Sequence, residues 1–431
     1  MFVVIYSWYI MLIEKIIAHI ARKKNADYLQ FSPRVSHTIP RKRSDTPLML
    51  YVHVPFCEEL CPYCSFNRVV FEEALARRYF DALRKEVLMY KELGYDFGAL
   101  YVGGGTPTIL IDELANTVEL IKKTYRIMEI SVETNPNHLT DENIGILKEI
   151  GVNRLSVGVQ TFDDGLLKTI GRYHKYGSGD EIAERLRFTQ GKFNTLNADM
   201  IFNFPTQTIA ILEEDLSRLM NLKVDQITYY PLMVSDYTKG VMSEKVGTVE
   251  YGRGKEFYTR IVDRLASIYD PTTAWCFSRA DGMIDEYVIN YEEYAGLGSG
   301  SIGYISGNVY ANTFDIVDYI QRVGKDEFPV VAKRECSIKE RLLYDFLMKL
   351  FGLHLDLAEL GKKYGEDVDE YLKWEIAFFK AVGALKQREH ILSLTKKGQY
   401  YWVIMMREFF IGVNNFRDYC REIAQFASHT H

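Results

Sequence analysis

Short apolar runs alternate with helical patterns along the chain from residue 48 onward. The apolar runs cover residues 48–54, 99–102, 128–133, 154–159, 196–202 and 226–230. Between the first two runs, Leu75, Tyr79, Leu83, Val87 and Tyr90 recur at the three- or four-residue spacing of one helix face. Strands that alternate with such helices form parallel βα units. The pattern therefore predicts an α/β fold, and its six units predict a (β/α)6 partial barrel that is open on one side.

The segment before these units has a different pattern. Residues 1–13 are strongly apolar, but Glu14 and Lys15 interrupt the run before it reaches membrane-spanning length. From residue 11, apolar positions follow a helical period and basic residues come at its end. This predicts an amphipathic helix that packs on the protein's own surface or makes a peripheral membrane contact through residues 11–24. Residues 34–46 are polar and basic and predict a linker.

The last hundred residues predict a separate, mainly helical unit. Residues 338–351 form an apolar helical pattern, and a second pattern covers 368–382. The run 391–395 predicts a strand, and residues 396–398 predict a turn, an order that resembles a winged-helix-like domain. Acidic residues are mixed with its basic ones, so we expect it to cover a substrate rather than to bind DNA.

These patterns divide the chain into four expected regions. They are an N-terminal helix and linker at 1–47, the partial barrel at 48–235, a barrel extension with substrate-side loops at 236–334, and the C-terminal domain at 335–431.

Composition narrows the classes of function. The chain has 431 residues, 47% of them hydrophobic, which is ample for a folded core. A formal charge of -6 with no basic stripe gives no support to nucleic-acid binding. Thirty tyrosines and 24 phenylalanines suit bulky core packing or a pocket for a flat, apolar substrate. Three of the six cysteines are clustered and the others lie far apart, so we expect no disulfide framework and a cytoplasmic protein.

The clustered cysteines are Cys57, Cys61 and Cys64, on a loop after the first apolar run. Three thiolates can hold a four-iron cluster while its fourth iron stays open to a ligand. Two alternatives are a zinc site completed by His53 and three ordinary buried thiols.

Polar residues follow the later apolar runs at equivalent places. Gly103 to Thr106 come directly after the second run, Glu133 ends the third, Gln160 follows the fourth, and Asp199 lies within the fifth. Chemistry in parallel barrels sits at the carboxyl ends of the strands, where these residues fall. Together they predict a single site.

The motifs resemble, in family order, those of the radical S-adenosylmethionine superfamily, in its oxygen-independent coproporphyrinogen III oxidase-like branch. The matching stretches begin at residues 51, 103, 133, 154, 171, 197 and 205. The resemblance implies a (β/α)6 partial barrel and a [4Fe-4S] cluster on Cys57, Cys61 and Cys64. It also implies two bound molecules of S-adenosylmethionine. The residues implied for the first are Tyr51, Gly104, Gly105, Thr106 and Glu133. Those implied for the second are Gln160, Arg172 and Asp199.

Three functions within this branch compete. Oxidases of the branch carry a further cysteine two residues after the third, and Phe66 stands at that place here. We therefore expect a class C radical methyltransferase that cleaves S-adenosylmethionine to a deoxyadenosyl radical and methylates a flat ring, such as menaquinone or haem. Coproporphyrinogen III oxidation and a haem chaperone are the alternatives. A one-electron donor such as flavodoxin or ferredoxin is implied as partner, and the residues point to no catalytic acid or base.

Overall fold

The protein is described by a computed structural model that covers residues 2–29, 31, 38–40, 48–279, 291–365 and 368–428, with side chains except at 2–11 and 422–428. Most of the predicted linker at 34–46 lies outside the described residues. The strands are β1 (Leu48–Val54), β2 (Phe56–Cys57), β3 (Val69–Val70), β4 (Phe97–Gly104), β5 (Glu129–Thr134), β6 (Arg154–Gln160), β7 (Thr195–Phe202), β8 (Gln226–Pro231), β9 (Asp270–Pro271), β10 (Cys276–Ser278), β11 (Tyr294–Leu297), β12 (Ile302–Ile305), β13 (Asn308–Asn312), β14 (Val330–Glu335), β15 (His354–Asp356), β16 (Leu385–Arg388) and β17 (Ile391–Leu394).

Helices surround this strand framework. They are α1 (Phe2–Tyr28), α2 (Glu73–Glu92), α3 (Ile111–Thr124), α4 (Asp141–Glu149), α5 (Asp164–Thr169), α6 (Tyr173–Tyr176), α7 (Gly179–Thr189), α8 (Ile209–Leu222), α9 (Asp236–Lys245), α10 (Gly254–Leu265), α11 (Ile316–Gly324), α12 (Ile338–Phe351), α13 (Leu357–Tyr364), α14 (Val368–Ala381) and α15 (Lys396–Ser428). Short 3-10 helices lie at Pro107–Leu110, Pro136–His138 and Tyr251–Arg253.

A twelve-stranded, mostly parallel sheet organises the molecule, in the order β14-β13-β12-β11-β1-β4-β5-β6-β7-β8-β10-β9. The six predicted strands, β1 and β4 to β8, are all present and pair in parallel with their neighbours. The sheet continues at both edges with strands that the sequence patterns did not predict. These added strands are two to six residues long, too short to show a clear period.

Amphipathic helices cover the sheet as their spacing predicted. Along α2, Tyr79, Leu83, Val87 and Tyr90 are fully buried against it. The Glu72 side chain accepts hydrogen bonds from the backbone of the first turn and caps this helix. The predicted apolar face is therefore confirmed.

The C-terminal region packs helices α12 to α14 around the three-stranded sheet β15-β17-β16. The predicted turn at 396–398 is wrong, because these residues begin α15. The Thr395 hydroxyl accepts a hydrogen bond from the Gly398 amide at 3.0 Å and caps that helix. A β-carbon at Gly398 would lie 2.0 Å from the Ala384 carbonyl oxygen, so only glycine fits this close approach.

The hydrophobic core continues from the large sheet into the C-terminal helices. Trp275, fully buried beside β10, packs on Phe351 of α12 and Phe410 of α15, with ring centroids 4.7 and 5.9 Å away. The indole of Trp402 donates a hydrogen bond to the Leu347 carbonyl at 3.0 Å. These contacts hold α12 and α15 against the strand framework.

The amphipathic helix predicted near the N-terminus is present as α1 (Phe2–Tyr28). Ile13, Ile17 and Ala18 are buried against the protein, whereas Leu12, Ile16 and Ile20 face outward. An ion pair of 2.8 Å between Arg22 and Glu408 joins α1 to α15. None of the helices within the described residues has the length and apolar composition needed to cross a bilayer.

Candidate active site

A cavity of about 420 Å³ opens where the loops leave the parallel strands. Cysteine-loop residues and the ends of β4 to β7 line its inner part, while α1, α12 and α15 line its outer part. The predicted site residues that line it are Tyr51, Cys57, Cys61, Cys64, Gly104, Gly105, Glu133, Gln160, Arg172 and Asp199. Thr106 stands just behind, with its hydroxyl 3.9 Å from the Cys57 sulfur. The structure thus brings all the predicted positions together.

The cysteine loop is tied at both ends. Strand β2 ends at Cys57 and pairs with β3, which closes the loop between them. The Arg68 guanidinium donates to the Cys61 carbonyl at 2.7 Å and to the Cys64 carbonyl. Its Nε and Nη1 atoms are buried without a hydrogen-bond partner among the described residues. A positive group is therefore fixed beside the three sulfurs.

Two glycines let the β4 loop approach this centre. A β-carbon at Gly105 would lie 2.5 Å from the Phe56 carbonyl oxygen and 3.0 Å from the Cys57 sulfur. At Gly104, which has a φ of +120°, a β-carbon would meet the His53 ring at 2.8 Å. Any side chain here would push the loop away from the cysteines.

His53 is buried and fully engaged. Its Nε2 lies 2.8 Å from the Asn67 carbonyl oxygen and its Nδ1 lies 2.9 Å from the Tyr51 hydroxyl. A carbonyl only accepts, so Nε2 carries the proton and Nδ1 accepts from Tyr51. Burial lowers the pKa of His53 to about 4, which keeps the ring neutral. Both nitrogens are used, so the alternative of a zinc site completed by His53 is wrong.

Glu133 links the ends of two strands inside the cavity. Its carboxylate accepts hydrogen bonds from the Tyr101 hydroxyl at 2.9 Å and from the Gly104 amide at 3.0 Å. A β-carbon at Gly103 would lie 2.8 Å from this carboxylate. The glycine loop and the acid are thus positioned by each other.

Arg172 lies almost fully buried between the cysteine loop and β6. It reaches the Cys61 sulfur at 4.0 Å, the Tyr63 hydroxyl at 3.4 Å and the Asn135 side-chain oxygen at 3.2 Å, and it also donates to the Gly158 carbonyl. Burial opposes its charge, but Tyr63, Tyr176 and Cys61 raise its pKa above the usual value. The guanidinium therefore stays charged beside Cys61.

Gln160 and Asp199 occupy neighbouring strand ends. Gln160 has a φ of 72°, an unfavourable conformation for a residue with a side chain. The next two residues are held by the buried Asp215, which accepts from the Thr161 hydroxyl and the Phe162 amide at 2.8 and 2.7 Å. Asp199 accepts from Ser156 at 2.7 Å. Anchored neighbours thus aim both side chains into the cavity.

The donor set fits a cluster better than a single metal ion. Within the described ranges, no three or more His, Cys, Asp or Glu side chains converge on one ion position. An iron–sulfur cluster binds each thiolate at a separate iron and needs no such convergence. Buried guanidinium groups on Arg68 and Arg172, each with an unpartnered Nε, suit the negative charge of thiolates and sulfides.

The C-terminal domain, which the sequence predicted to cover a substrate, lines much of the outer part of the cavity. Its walls are mainly aromatic and aliphatic side chains of α12 and α15, among them Leu343, Tyr344, Leu347, Phe409 and Phe410. Phe409 and Phe410 belong to a mainly apolar stretch of the sequence at residues 400–411, and this stretch is the sequence signal for the wall.

Several polar residues of the site were also missed. Asn135 and Arg68 are close in sequence to Glu133 and Cys64, so their place in the sequence could have indicated both. Asn25 of α1 lines the cavity from a distant part of the chain, and its position carried no signal. Phe66, which takes the place of a cysteine, lies at the cavity with the Arg417 guanidinium 4.9 Å from its ring centre.

Comparison with known proteins agrees with this geometry. The radical SAM superfamily profile matches residues 51–219. Heme chaperone HemW of Bacillus subtilis is 30% identical over 369 residues, covering 81% of this chain and 95% of that protein. Oxygen-independent coproporphyrinogen III oxidase of Bradyrhizobium diazoefficiens is 26% identical, covering 80% and 83%.

A solved structure shares the fold. Coproporphyrinogen III oxidase of Escherichia coli superposes with a TM-score of 0.74 at 22% identity, covering 88% of this chain and 95% of that one. The chain therefore belongs to the radical SAM superfamily, in its coproporphyrinogen-oxidase-like branch, whose members use a [4Fe-4S] cluster and S-adenosylmethionine.

Proposed function

We propose that this radical SAM enzyme transfers a methyl group to a ring carbon of a flat, lipophilic substrate such as menaquinone or haem. The observation that carries the proposal is the layout of one cavity. Polar residues of the cysteine loop and of strands β4 to β7 line its inner part, and its outer part is mainly aromatic and aliphatic. The polar residues suit S-adenosylmethionine, of which the family resemblance implies two molecules, and the apolar walls suit a flat ring.

Cys57, Cys61 and Cys64 are assigned as cluster ligands in this proposal. Tyr51, Gly104, Gly105, Thr106 and Glu133 are assigned to the cluster-bound S-adenosylmethionine. The second molecule is assigned to Gln160, Arg172 and Asp199. When bound, the cluster would supply the electron that cleaves one S-adenosylmethionine to a primary carbon radical, and the second S-adenosylmethionine would supply the transferred carbon. A one-electron donor and a small-molecule substrate are needed, as throughout the superfamily.

The chain's own residues position and shield the reactants. Glu133, fixed by the Tyr101 hydroxyl and the Gly104 amide, presents a carboxylate suited to an ammonium group or ribose hydroxyls. The Tyr51 hydroxyl donates to neutral His53, which fixes the Tyr51 side chain at the cavity wall. Phe409 and Phe410 exclude water from the outer part, as a reactive carbon radical requires. The radical addition itself requires alignment of the partners and exclusion of water.

The proposed architecture follows from the same layout. The six parallel strands would curve as a (β/α)6 partial barrel around the inner part of the cavity. The C-terminal winged-helix-like domain would cover its outer part.

A second candidate is haem binding without methylation, which the 30% identity to heme chaperone HemW favours. Arg341 and Arg417 at the outer cavity could pair with carboxylates of a tetrapyrrole. Oxidation of coproporphyrinogen is a third candidate, from the likeness to the oxidases.

One experiment separates the three candidates. The cluster-reconstituted protein is incubated without oxygen with reductant, S-adenosylmethionine and menaquinone, haem or coproporphyrinogen, and products are identified by mass spectrometry. Methylation gives a gain of one methylene unit with matching amounts of S-adenosylhomocysteine and 5′-deoxyadenosine. Carbon dioxide release from coproporphyrinogen without methyl gain would establish oxidation. Unchanged bound haem without substrate-dependent 5′-deoxyadenosine would establish a chaperone. Cys64→Ala is the inactive control.

A further inference from the structure

The outward face of α1 combines apolar and basic residues in two neighbouring rows. Leu12, Ile16 and Ile20 are 56%, 40% and 49% exposed and lie four residues apart, so they form one row along the helix. Lys15, His19 and Lys23 are also exposed, with the same spacing, and form an adjacent row. Exposed large aliphatic residues in a regular row are unusual on a helix that is otherwise packed.

The inward face of α1 is already occupied, so the exposed row is not a misplaced core face. Ile13 and Ile17 are 5% and 2% exposed. Close packing on α15 is set by Gly412, where an added β-carbon would lie 3.2 Å from the Asn25 β-carbon. The helix is therefore held in one orientation, with the two rows pointing away from the protein.

The exposed charge on this face has a single sign between residues 12 and 24, and the exposed Asp27 follows one turn after Lys23. Between residues 12 and 24 the only acidic residue is Glu14, and its side chain is 14% exposed because it turns inward toward Lys255, 3.8 Å away. Lys24 adds a further exposed positive charge at the end of this stretch. The ten residues that precede Leu12 after Met1 carry no charge and include Trp8. Apolar residues, aromatic residues and lysines on one helix match an anionic lipid surface.

The same helix leads to the cavity. Asn25 and Tyr28, in its last turn, line the cavity's outer part. The Tyr28 hydroxyl donates to the Glu340 carbonyl at 2.7 Å, and Arg334 donates to the Tyr28 carbonyl at 2.7 Å, which fixes this end of α1 at the start of α12. A surface bound by residues 12–24 would therefore lie within about four helix turns of the cavity wall.

We propose that the outward face of α1 docks the protein on an anionic lipid bilayer. The apolar row enters the headgroup boundary and the lysines pair with lipid phosphates, without any helix crossing the membrane. The proposal concerns where the protein resides and is independent of which reaction the active site performs.

Flotation of the full-length, cluster-reconstituted protein with vesicles tests it. One set of vesicles contains phosphatidylglycerol and phosphatidylcholine in equal parts, and the other contains phosphatidylcholine alone. We expect binding to the anionic set that weakens as salt rises, because exposed charge pairs are screened. Replacing Leu12, Ile16 and Ile20 by Gln should reduce the bound fraction about tenfold, since three apolar side chains no longer enter the lipid. Lys15→Glu with Lys23→Glu should remove the preference for phosphatidylglycerol.

The matched control replaces Leu88, Leu93 and Val317 by Gln, which are 43%, 54% and 46% exposed and lie elsewhere on the surface. It should bind vesicles like the unaltered protein. Absence of binding to anionic vesicles would overturn the proposal, as would equal loss in the control. Light scattering tests whether this face binds a second copy of the chain instead. A dimer that dissociates when the α1 residues are substituted would support that alternative.

Discussion

The inner and outer parts of the cavity are built in different ways. The inner part takes its polar residues from positions 51 to 199, on the parallel strands or on the loops that follow them. The outer part takes its walls from α1, α12 and α15, which come from opposite ends of the chain and meet through packing. The strands and their loops thus position the residues proposed to bind the cofactors, whereas long-range contacts form the substrate compartment.

This difference predicts how the two parts respond to substitution. A polar residue at a strand end acts on one atom of a cofactor, so its loss should change a specific chemical step. An apolar wall residue shares its role with several neighbours, so its loss should weaken substrate binding by a smaller factor. The variants below test that contrast.

The largest effect is expected at the cysteines. Cys57→Ala, Cys61→Ala and Cys64→Ala should each abolish the absorbance of the iron–sulfur cluster and the formation of 5′-deoxyadenosine, because two thiolates cannot retain the cluster. Iron content and anaerobic product assays measure both.

Cys276→Ala is the matched control. Its thiol is fully buried on β10, 3.7 Å from the Thr228 hydroxyl, and is absent from the cavity wall. It should keep the cluster and the activity. Loss of the cluster in this variant with retention in Cys64→Ala would overturn the ligand assignment.

A large but selective effect is expected at the residues assigned to the second S-adenosylmethionine. Asp199→Asn should lower substrate modification on the order of tenfold to a hundredfold, the worth of a charged hydrogen bond. Cleavage of S-adenosylmethionine without substrate should be unchanged. Arg172 is a less selective probe because it also contacts Cys61 and Tyr63.

The exposed Asp141→Asn on α4 serves as control for the loss of one negative charge, and both activities should be retained. Equal loss of cleavage and modification in Asp199→Asn would remove the case for two separate cofactor positions.

The inner part was largely predictable from the sequence because its residues belong to contiguous motifs at strand ends. All eleven proposed positions meet at one place, with Thr106 directly behind Cys57. The six parallel strands were predictable because each is a short, mainly apolar run between helical patterns. The hydrogen bonds that hold these residues in place were not predictable. His53 fixes Tyr51 only because Asn67 orients its ring, and no pattern in the sequence indicates that contact.

The outer part was predictable only as an apolar stretch. Its position depends on contacts such as that of Phe410 with Trp275, 135 residues away in the chain. The sequence did not decide which face α1 buries. Ile13 and Ile17 on one side and Ile16 and Ile20 on the other are equally apolar, and only the packing partner distinguishes them.

A moderate effect is expected in the outer wall. Phe410→Ala should raise the KM for the ring substrate about tenfold through lost apolar contact, with kcat and substrate-free cleavage little changed. Steady-state kinetics with the substrate identified by mass spectrometry give the measurement. Trp374→Ala on α14, where the side chain is 77% exposed, is the matched aromatic control and should leave KM unchanged. A fall in substrate-free cleavage in Phe410→Ala would contradict the division between the two parts.

The smallest effect on turnover is expected at Glu86, which lies outside the cavity wall. This buried residue of α2 accepts hydrogen bonds from the Gly298 amide at 2.9 Å, the Tyr319 hydroxyl at 2.6 Å and the Asn312 amide at 3.2 Å. Gly298 in turn lies against the His53 carbonyl, where a β-carbon would come within 2.6 Å. Glu86 therefore ties the added strands to β1.

Burial raises the pKa of Glu86 from 4.5 to about 7, against the opposing hydrogen bonds. The folded protein holds this proton more tightly than the unfolded chain, so its contribution to stability is complete below pH 4.5 and is lost as pH rises through 7. Relative to Glu86→Gln, the unfolding free energy of the unaltered protein should fall between pH 5 and pH 8, on the order of 3 kcal/mol. Urea unfolding of the cluster-reconstituted protein at both pH values measures it, with Glu119→Gln on α3 as the exposed control. Parallel pH profiles for the unaltered protein and Glu86→Gln would mean that the three donors keep Glu86 ionised throughout, and that this junction carries a fixed negative charge.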